Sequence, residues 1–485
     1  MPSILGANSV TGDFITNSLS LNNDDGAYLS ITRDGNQSKQ IATFSTWTKM
    51  GPPSQDHILF GGASDNDNRA YLYFSDPSGY VGIFERTSGS AEIAYASNAK
   101  FQDPAAWYHV VVVFDTTNGT AGNRFKMFIN GRQYTDWGTS TAPDQNHNLQ
   151  ILKKNNMTVG AGFSSGGVNT FGDGYLADFH YIDGTALDAS YFGETNDNGV
   201  WVPKEYSGTY GNNGFHLEFK QTGTSQNSSG IGADTSGNDN HLAVTNLAAT
   251  DVGIDTPQNN YCTINPVYAD DGNNMVAADF SEGNRKQLTT VDGWKFGRGT
   301  FLLEAGKWYA EVKMTEAGGG QVGNFGIVPS QGGVALGNTD DNDVFEGIRV
   351  GLGGSDTILQ KLDTGTGSNI FTDFASGNTA MLAFDLDNDK IWIGREGTWY
   401  NDNNASTTLD PSNHDIALPS VALGWVFGLG MSRNGSDNVT FEYNWGNPAH
   451  AISSGNSDAD GHGNFEFAVP SGFFAVNSKN LAEYG

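Results

Sequence analysis

The sequence predicts an all-β protein: two tandem antiparallel β-sandwiches with a turn-rich connector. Three observations carry that prediction. Gly accounts for 64 of 485 residues, against a usual frequency of about 7%, and roughly one residue in ten is Asn. Both residue types tolerate positive φ and mark turns. Aromatics stand at 12%, too many for a disordered chain. Short apolar or alternating runs, each closed by Gly, Asn, Asp or Ser, recur along the whole length, whereas helical periodicity is almost absent. At about 100–200 residues per domain, the length allows two to four domains.

In chain order, strands are predicted at 41–48 (IATFSTWT), 57–61, 70–74 (AYLYF), 80–84 (YVGIF), 107–114 (WYHVVVVF) and 124–130. Asn130–Gly131 is a two-residue hairpin signal between RFKMFI and RQYTDW. These elements place a first sandwich at 1–205. Residues 206–274 hold TYGNNG, QTGTSQNSSGIGADTSGNDN and IDTPQNN, and read as a structured connector because Tyr210, Phe215 and Phe219 persist as anchors. Strands resume at 300–303, 308–314 (WYAEVKM), 323–328, 347–352, 379–385, 390–394, 421–429 and 438–445, a second sandwich at 275–447. A C-terminal segment follows at 448–485. The only helices expected are short, around 186–192 and in the terminal NLAEY.

Charge narrows the function. Twenty-five Lys and Arg against 54 Asp and Glu give −29, a surface that repels phosphate backbones and anionic lipid. No nucleic-acid partner and no membrane insertion are expected. The strand run at 110–114 is five apolar residues long, and no stretch approaches the 18 a membrane helix needs. The N-terminal MPSILGANSVTGDF has neither a basic nor an apolar leader region, so no secretory signal is read there and synthesis in a cytoplasm is expected. The lone Cys262 excludes an intrachain disulfide and reads as a small buried apolar side chain.

Enzymatic signatures are missing from the pattern. A retaining glucanase needs two carboxyls about 5–5.5 Å apart, usually on alternate positions of one strand. AEIAY, WYAEVKM and HLEFK each hold one acid, and Asp178 and Asp183 in YLADFHYID fall on opposite faces of a regular strand. The nine histidines form no H-E-x-x-H or H-x-H; His109 and His180 sit in strand patterns and read as packed residues. There is no G-x-S-x-G, hence no nucleophile elbow. No enzyme and no required cofactor are expected.

Acidic turns are the metal candidates: Asp65 and Asp67 in SDNDN, Asp340, Asp341 and Asp343, Asp385, Asp387 and Asp389, and Asp458 and Asp460. None matches the calcium loop D-x-[DN]-x-[DN]-G-x5-E. The Asp65–Asp67 turn is retained as the one worth testing for Ca²⁺. For ligand contact the candidates are Trp137 in TDWGT and Trp399 and Tyr400 in GTWYN, because aromatics in turns stack on sugars or fill a partner's pocket. Trp201 and Tyr210 are expected to pack between domains.

Two stretches carry resemblances. WYHVVVVFDTTNGTAGNRFKMFINGRQ at 107–133 and YLADFHYIDGTALDASYFGE at 175–194 resemble laminin-G-like, concanavalin A-like lectin domains. GKWYAEVKM at 306–314 and FDLDNDKIWIGREGTWYN at 384–401 resemble the SPRY domain, also a β-sandwich. Joined by GVWVPKEYSGTYGNNGFHLEF and SGNDNHL, and closed by VPSGFFAVNSKNL, the two together look like structural proteins of marine tailed bacteriophages. That resemblance implies a non-enzymatic virion surface protein, a tail fibre or adhesin component recognising host envelope glycan or protein, with other virion proteins as partners. It implies a homo-oligomer, with a trimer favoured. The alternative is a capsid or tail decoration protein with a purely structural role. The laminin-G likeness also implies a rim calcium.

Overall fold

The computed structural model describes residues 13–485 apart from 33–37, 53–55, 76–77, 154–155, 165–166, 267–279, 290–292, 318–321, 332–344, 354–355, 364–365, 372–373 and 434–438. With 49% of residues in strands and 6% in helix, the protein is nearly all-β, as predicted. The chain divides into two compact units, one ending at Asn259 and the other starting at Asn260. Among the described residues no helix is long and apolar enough to cross a membrane.

The first unit packs two eight-stranded antiparallel sheets face to face. One runs in the order Arg132–Gln133, Phe125–Ile129, Trp107–Asp115, Ile41–Met50, Gly174–Asp183, Ser18–Leu21 and Val252–Gly253, with Phe215–Leu217 also paired to Gly174–Asp183. The other runs Trp137–Thr141, Ser90–Ser97, Val81–Thr87, Asn68–Phe74, His57–Asp65, Asn156–Val159, Tyr28–Thr32 and Ala243–Thr245. Phe44 of the first sheet stacks on Phe60 of the second at 4.3 Å, and Tyr95 meets Phe125 at the same separation. Burial on both faces explains the unbroken apolar run at 110–114. Val110, Val112 and Phe114 enter the core between the sheets. Val111 and Val113 pack outward against Leu187, Ala189, Phe192 and Tyr210. The hairpin expected at Asn130–Gly131 forms, with φ of 47° and 77°. A Cβ on Gly131 would come within 2.3 Å of the Trp201 ring, so glycine is required there twice over.

The segment expected as a connector belongs to the first sandwich as far as Asn259. Phe215–Leu217 pairs with 179–181, Ala243–Thr245 with 28–30, and Val252–Gly253 with 18–19. Phe215, Leu217, Phe219, Ile231, Leu242 and Leu247 complete the core. Beside it Lys49 Nζ meets Asp255 Oδ2 at 2.8 Å, both side chains fully buried, and Trp107 Nε1 donates to the other oxygen at 3.1 Å. Apolar side chains spaced among the turns explain the docking: a free linker would leave them in water.

The second unit is likewise a sandwich. Its seven-stranded sheet orders Ile264–Asn265, Gly293–Leu303, Trp425–Arg433, Val322–Pro329, Glu346–Gly353, Asp356–Asp363 and Thr366–Phe371. Its eight-stranded sheet orders Phe280–Ser281, Lys286–Thr289, Val439–Asn444, Lys307–Ala317, Thr379–Asp385, Lys390–Arg395 and Thr398–Trp399, with Ile416–Ala417 on Lys390–Arg395. Trp308, Phe325, Phe384, Phe427, Tyr443 and Trp445 fill the core, and Cys262 is buried among them, as expected of a small apolar side chain. The C-terminal segment is inlaid in this unit. Buried Glu311 accepts the amides of Glu466 and Phe467 at 3.0 and 2.8 Å, and Asp458 accepts that of Ala475 at 2.9 Å. The chain ends in a helix, Ser478–Tyr484, whose first amides are capped by Asn477.

Candidate functional site

Two places in the first unit gather side chains that a core does not require. The first lies on the outer face of the second sheet. In Asn68–Phe74, Ala70, Leu72 and Phe74 enter the core, so Arg69, Tyr71 and Tyr73 face the other way. In Val81–Thr87 the same parity buries Val81 and Ile83 and turns Gly82, Phe84 and Arg86 outward. Register sets Tyr71 opposite Phe84 and Tyr73 opposite Gly82. The rings form a row: Tyr71 to Phe84 at 5.9 Å, Tyr71 to Tyr73 at 5.4 Å, and Tyr73 to Tyr80 at 6.0 Å. A Cβ on Gly82 would stand 3.0 Å from the Tyr73 ring, so this glycine lets the ring lie across the strand. Ala94 and Ala96 come next, opposite Phe84 and Gly82. The result is a partly exposed aromatic row beside small side chains. Burial raises the pKa of both Tyr71 and Tyr73, so their hydroxyls stay protonated and able to donate at neutral pH.

The second place is the outer face of the first sheet. A register shift between Ala177 and His180 and positive φ at Asp178 mark a β-bulge. The extra residue lets Leu176, Phe179 and Tyr181 all reach the core, which strict alternation forbids. It also sets Asp178 beneath two imidazoles: Oδ1 is 2.7 Å from His216 Nε2 and Oδ2 is 3.0 Å from His180 Nε2. The second ring nitrogens are held by Tyr210 Oη at 2.9 Å and Thr235 Oγ1 at 3.0 Å. Against the penalty of its burial, His180 and His216 keep the Asp178 carboxyl below its usual range. Burial lowers His180 in turn.

Asp178, His180 and His216 are the described residues that could hold a metal, each offering one ligand atom within 4.8 Å of the others. The ring geometry argues against it. The two imidazoles stack at 4.2 Å with planes 12° apart. An ion bonded in line with both Nε2 lone pairs would have to lie in both ring planes, and near-parallel planes this far apart do not meet near the nitrogens. The set fits a shared carboxylate, and it pins Phe215–Leu217 onto Gly174–Asp183.

The structure disperses the residues singled out in the sequence. Trp399 is only 3% exposed and lies 6.3 Å from the Tyr309 ring, so it offers no face to a ligand. Tyr400 is partly exposed and meets Phe371 at 5.8 Å. Trp137 wedges against Tyr134, Tyr95 and Phe125 at 4.7, 5.0 and 6.1 Å, a packing role at the end of the core. Asp65 and Asp67 are exposed. Asp65 Oδ1 accepts the Asp67 amide and the Asn68 side chain, both at 2.9 Å, and those bonds, that from Asn68 foremost, lower its pKa. This is the chemistry of a hairpin turn. Asp340, Asp341 and Asp343 lie outside the described residues. Trp201 and Tyr210, expected between domains, belong to the first unit, where Trp201 Nε1 donates to His109 Nδ1 at 3.0 Å and Tyr210 holds His180. His109 and His180 are buried sheet-face residues, as read. Neither the ring row nor the His216 partnership was singled out; the D-x-H spacing at 178–180, two residues and one face, was the available signal.

Residues 23–191 match a family model described as the concanavalin A-like lectin/glucanases superfamily. With the sheets described above, the first unit therefore contains a laminin-G-like, concanavalin A-like lectin domain. Similar solved structures include a heptameric SAP-like pentraxin from Limulus polyphemus, at 18% identity over 36% of this chain and 80% of that one, TM-score 0.28. The CBM40 domain of the Ruminococcus gnavus IT-sialidase aligns at 16% identity over 36% and 95%, TM-score 0.26. Domains LG4-5 of the mouse laminin α1 chain align at 8% identity over 98% and 90%, TM-score 0.29. No curated protein matches the chain.

Proposed function

We propose that this chain is a non-enzymatic virion surface protein of a tailed bacteriophage, a tail fibre or adhesin component whose first unit binds glycan of the host envelope. The observation that carries the glycan reading is the outer ring row Tyr71, Tyr73, Tyr80 and Phe84, partly exposed on a sandwich of the lectin superfamily. Aromatic faces stack on the C–H faces of pyranose rings, while tyrosine hydroxyls bond sugar hydroxyls. The fit is shallow, so single-site affinity is weak and copy number supplies avidity. The phage assignment rests on the joining segments quoted above and the trimer follows from that resemblance, whereas the SPRY-like reading of the second unit rests on 306–314 and 384–401. The test is a glycan array probed with the full chain. Tyr73→Ala and Phe84→Ala should each lower binding about tenfold, with unfolding still cooperative. An array with no bound glycan overturns the reading. Antibody labelling of particles in the electron microscope tests the location: label on tail appendages supports the adhesin, and label over the head favours a decoration protein.

A further inference from the structure

Beside the ring row stands a pair of arginines that the fold does not explain. Arg69 and Arg86 face each other across the strands Asn68–Phe74 and Val81–Thr87, one register step beyond Tyr71 and Phe84. Like charges placed directly opposite in a sheet destabilise it. Here nothing offsets the cost. In a chain with 54 acids and 25 bases, neither guanidinium has an ion pair among the described residues. Arg69 Nη1 donates to the carbonyl and side-chain oxygens of Asn66. Among the described residues the Arg86 guanidinium has no hydrogen-bond partner. The Nε atoms of both are buried and unsatisfied, each an added cost for a charged donor. Asp65, in the adjoining turn, is engaged by Asn68 and Asp67.

We propose that Arg69 and Arg86 bind the anionic group, carboxylate or sulfate ester, of an acidic oligosaccharide whose ring lies on Tyr71 and Phe84. This rests on the glycan reading above and names its substrate class. The guanidinium is the side chain suited to planar, bidentate capture of such groups. The spacing is right for one sugar residue. Cross-strand neighbours stand about 4.5–5.5 Å apart and residues two along a strand about 6.5–7 Å apart, so an anion between the arginines sits one sugar's breadth from the aromatic pair. The ligand would supply the missing counter-charge and the missing acceptors together.

Calorimetric titration of the full chain with three probes tests this: oligogalacturonate for the carboxylate, a sulfated galactan oligosaccharide for the sulfate, and a neutral galactan oligosaccharide of equal length. At least one acidic probe should bind ten-fold or more tighter than the neutral one, with that margin shrinking as salt rises. Arg86→Gln should abolish the margin and leave neutral binding intact. It should also unfold at the same temperature as the parent or a little higher, because a like-charge contact is relieved. Arg86→Lys, which keeps the charge and loses the fork, should retain only part of the margin. Equal affinity for acidic and neutral probes, with neutral binding still lost in Tyr73→Ala, overturns the arginine assignment and leaves the ring row standing. A preference that survives Arg86→Gln also overturns it. Binding of no probe overturns both.

Discussion

The two sandwiches anchor their turn-rich excursions with different buried charged groups. In the first, the 206–259 excursion is held by a fully buried Lys49–Asp255 pair and by imidazoles on the sheet face. In the second, the 448–485 excursion is held on the sheet by Glu311, which accepts the amides of Glu466 and Phe467, and is folded on itself by Asp458, which accepts that of Ala475. A long irregular segment has few ladder bonds of its own, so it must dock on a group that can take several donors or on a strong pair. Which group is buried then decides how each unit answers charge removal and acid.

The largest expected effect is on the ion pair. Asp255→Ala leaves the Lys49 ammonium in a site with no exposure and strips Trp107 Nε1 of its acceptor. The first unit should lose about 3–5 kcal/mol, the cost of an uncompensated buried charge. Replacing both partners, Lys49→Met with Asp255→Leu, should recover much of it. Chemical denaturation of the three variants checks both statements. In the second unit the comparable break is Trp399→Ala, which removes a ring packed beside Tyr309 and should cost about 3–5 kcal/mol. Tyr400→Ala, at a partly exposed neighbour, should cost well under half of that. Equal effects of the two substitutions would contradict the burial assigned to them.

Acid separates the units next. His57 is fully buried, and its Nδ1 accepts the Asp173 amide at 3.0 Å. Burial lowers its pKa from 6.5 to about 3. A folded pKa below the unfolded one gives a contribution complete above pH 6.5 and lost as pH falls toward 3, which is about 2 kcal/mol gone by pH 5. Asp415 in the second unit is the reverse. Burial raises it from 3.8 to about 6, so its contribution is complete below pH 3.8 and lost as pH rises through 6. Going from pH 7 to 5 should return about 1 kcal/mol. Burial raises Glu311 as well, in the same direction. Within the first unit Glu85 and His147, paired at 2.5 Å, are both raised and oppose His57. The comparison is therefore sharpest by difference. The gap between the parent and His57→Gln should narrow by about 2 kcal/mol from pH 7 to 5. The gap between the parent and Asp415→Asn should move the other way. Limited proteolysis with the fragments identified by mass shows which unit opens first at each pH.

How much of this was legible in the sequence follows from the range over which each feature is encoded. Strands with their own period, such as 107–114 or 390–394, announced themselves, and so did the Asn130–Gly131 turn. The docking of 206–259 did not. Its strands are two or three residues long, too short for a period, and their partners lie from about 35 to more than 200 positions away. The histidines at 109 and 180 were correctly read as packed because their strands were visible. Asp178 and Asp183 do fall on opposite faces, but the bulge between Ala177 and His180 that brings Asp178 beneath two imidazoles is advertised by no local residue. Trp399 looked exposed because it follows a Gly-containing turn, yet its two-residue strand turns it inward. The facing of Arg69 and Arg86 required the register of a hairpin, which parity alone does not supply.

The smallest expected effect falls on the Asp65–Asp67 turn, the one acidic loop retained for calcium. Both residues are exposed, and the Asp65 carboxylate already accepts the Asp67 amide and the Asn68 side chain. A Ca²⁺ ion wants six to eight oxygens, and these two side chains supply at most four, part of them committed to the turn. Asp65→Asn keeps an acceptor in place, so the melting temperature of the first unit should scarcely move. Millimolar calcium should leave parent and variant alike. A calcium-dependent rise in melting temperature that disappears in Asp65→Asn would instead show that this turn opens to take an ion, and would give the first sandwich a second charged device beside its arginines.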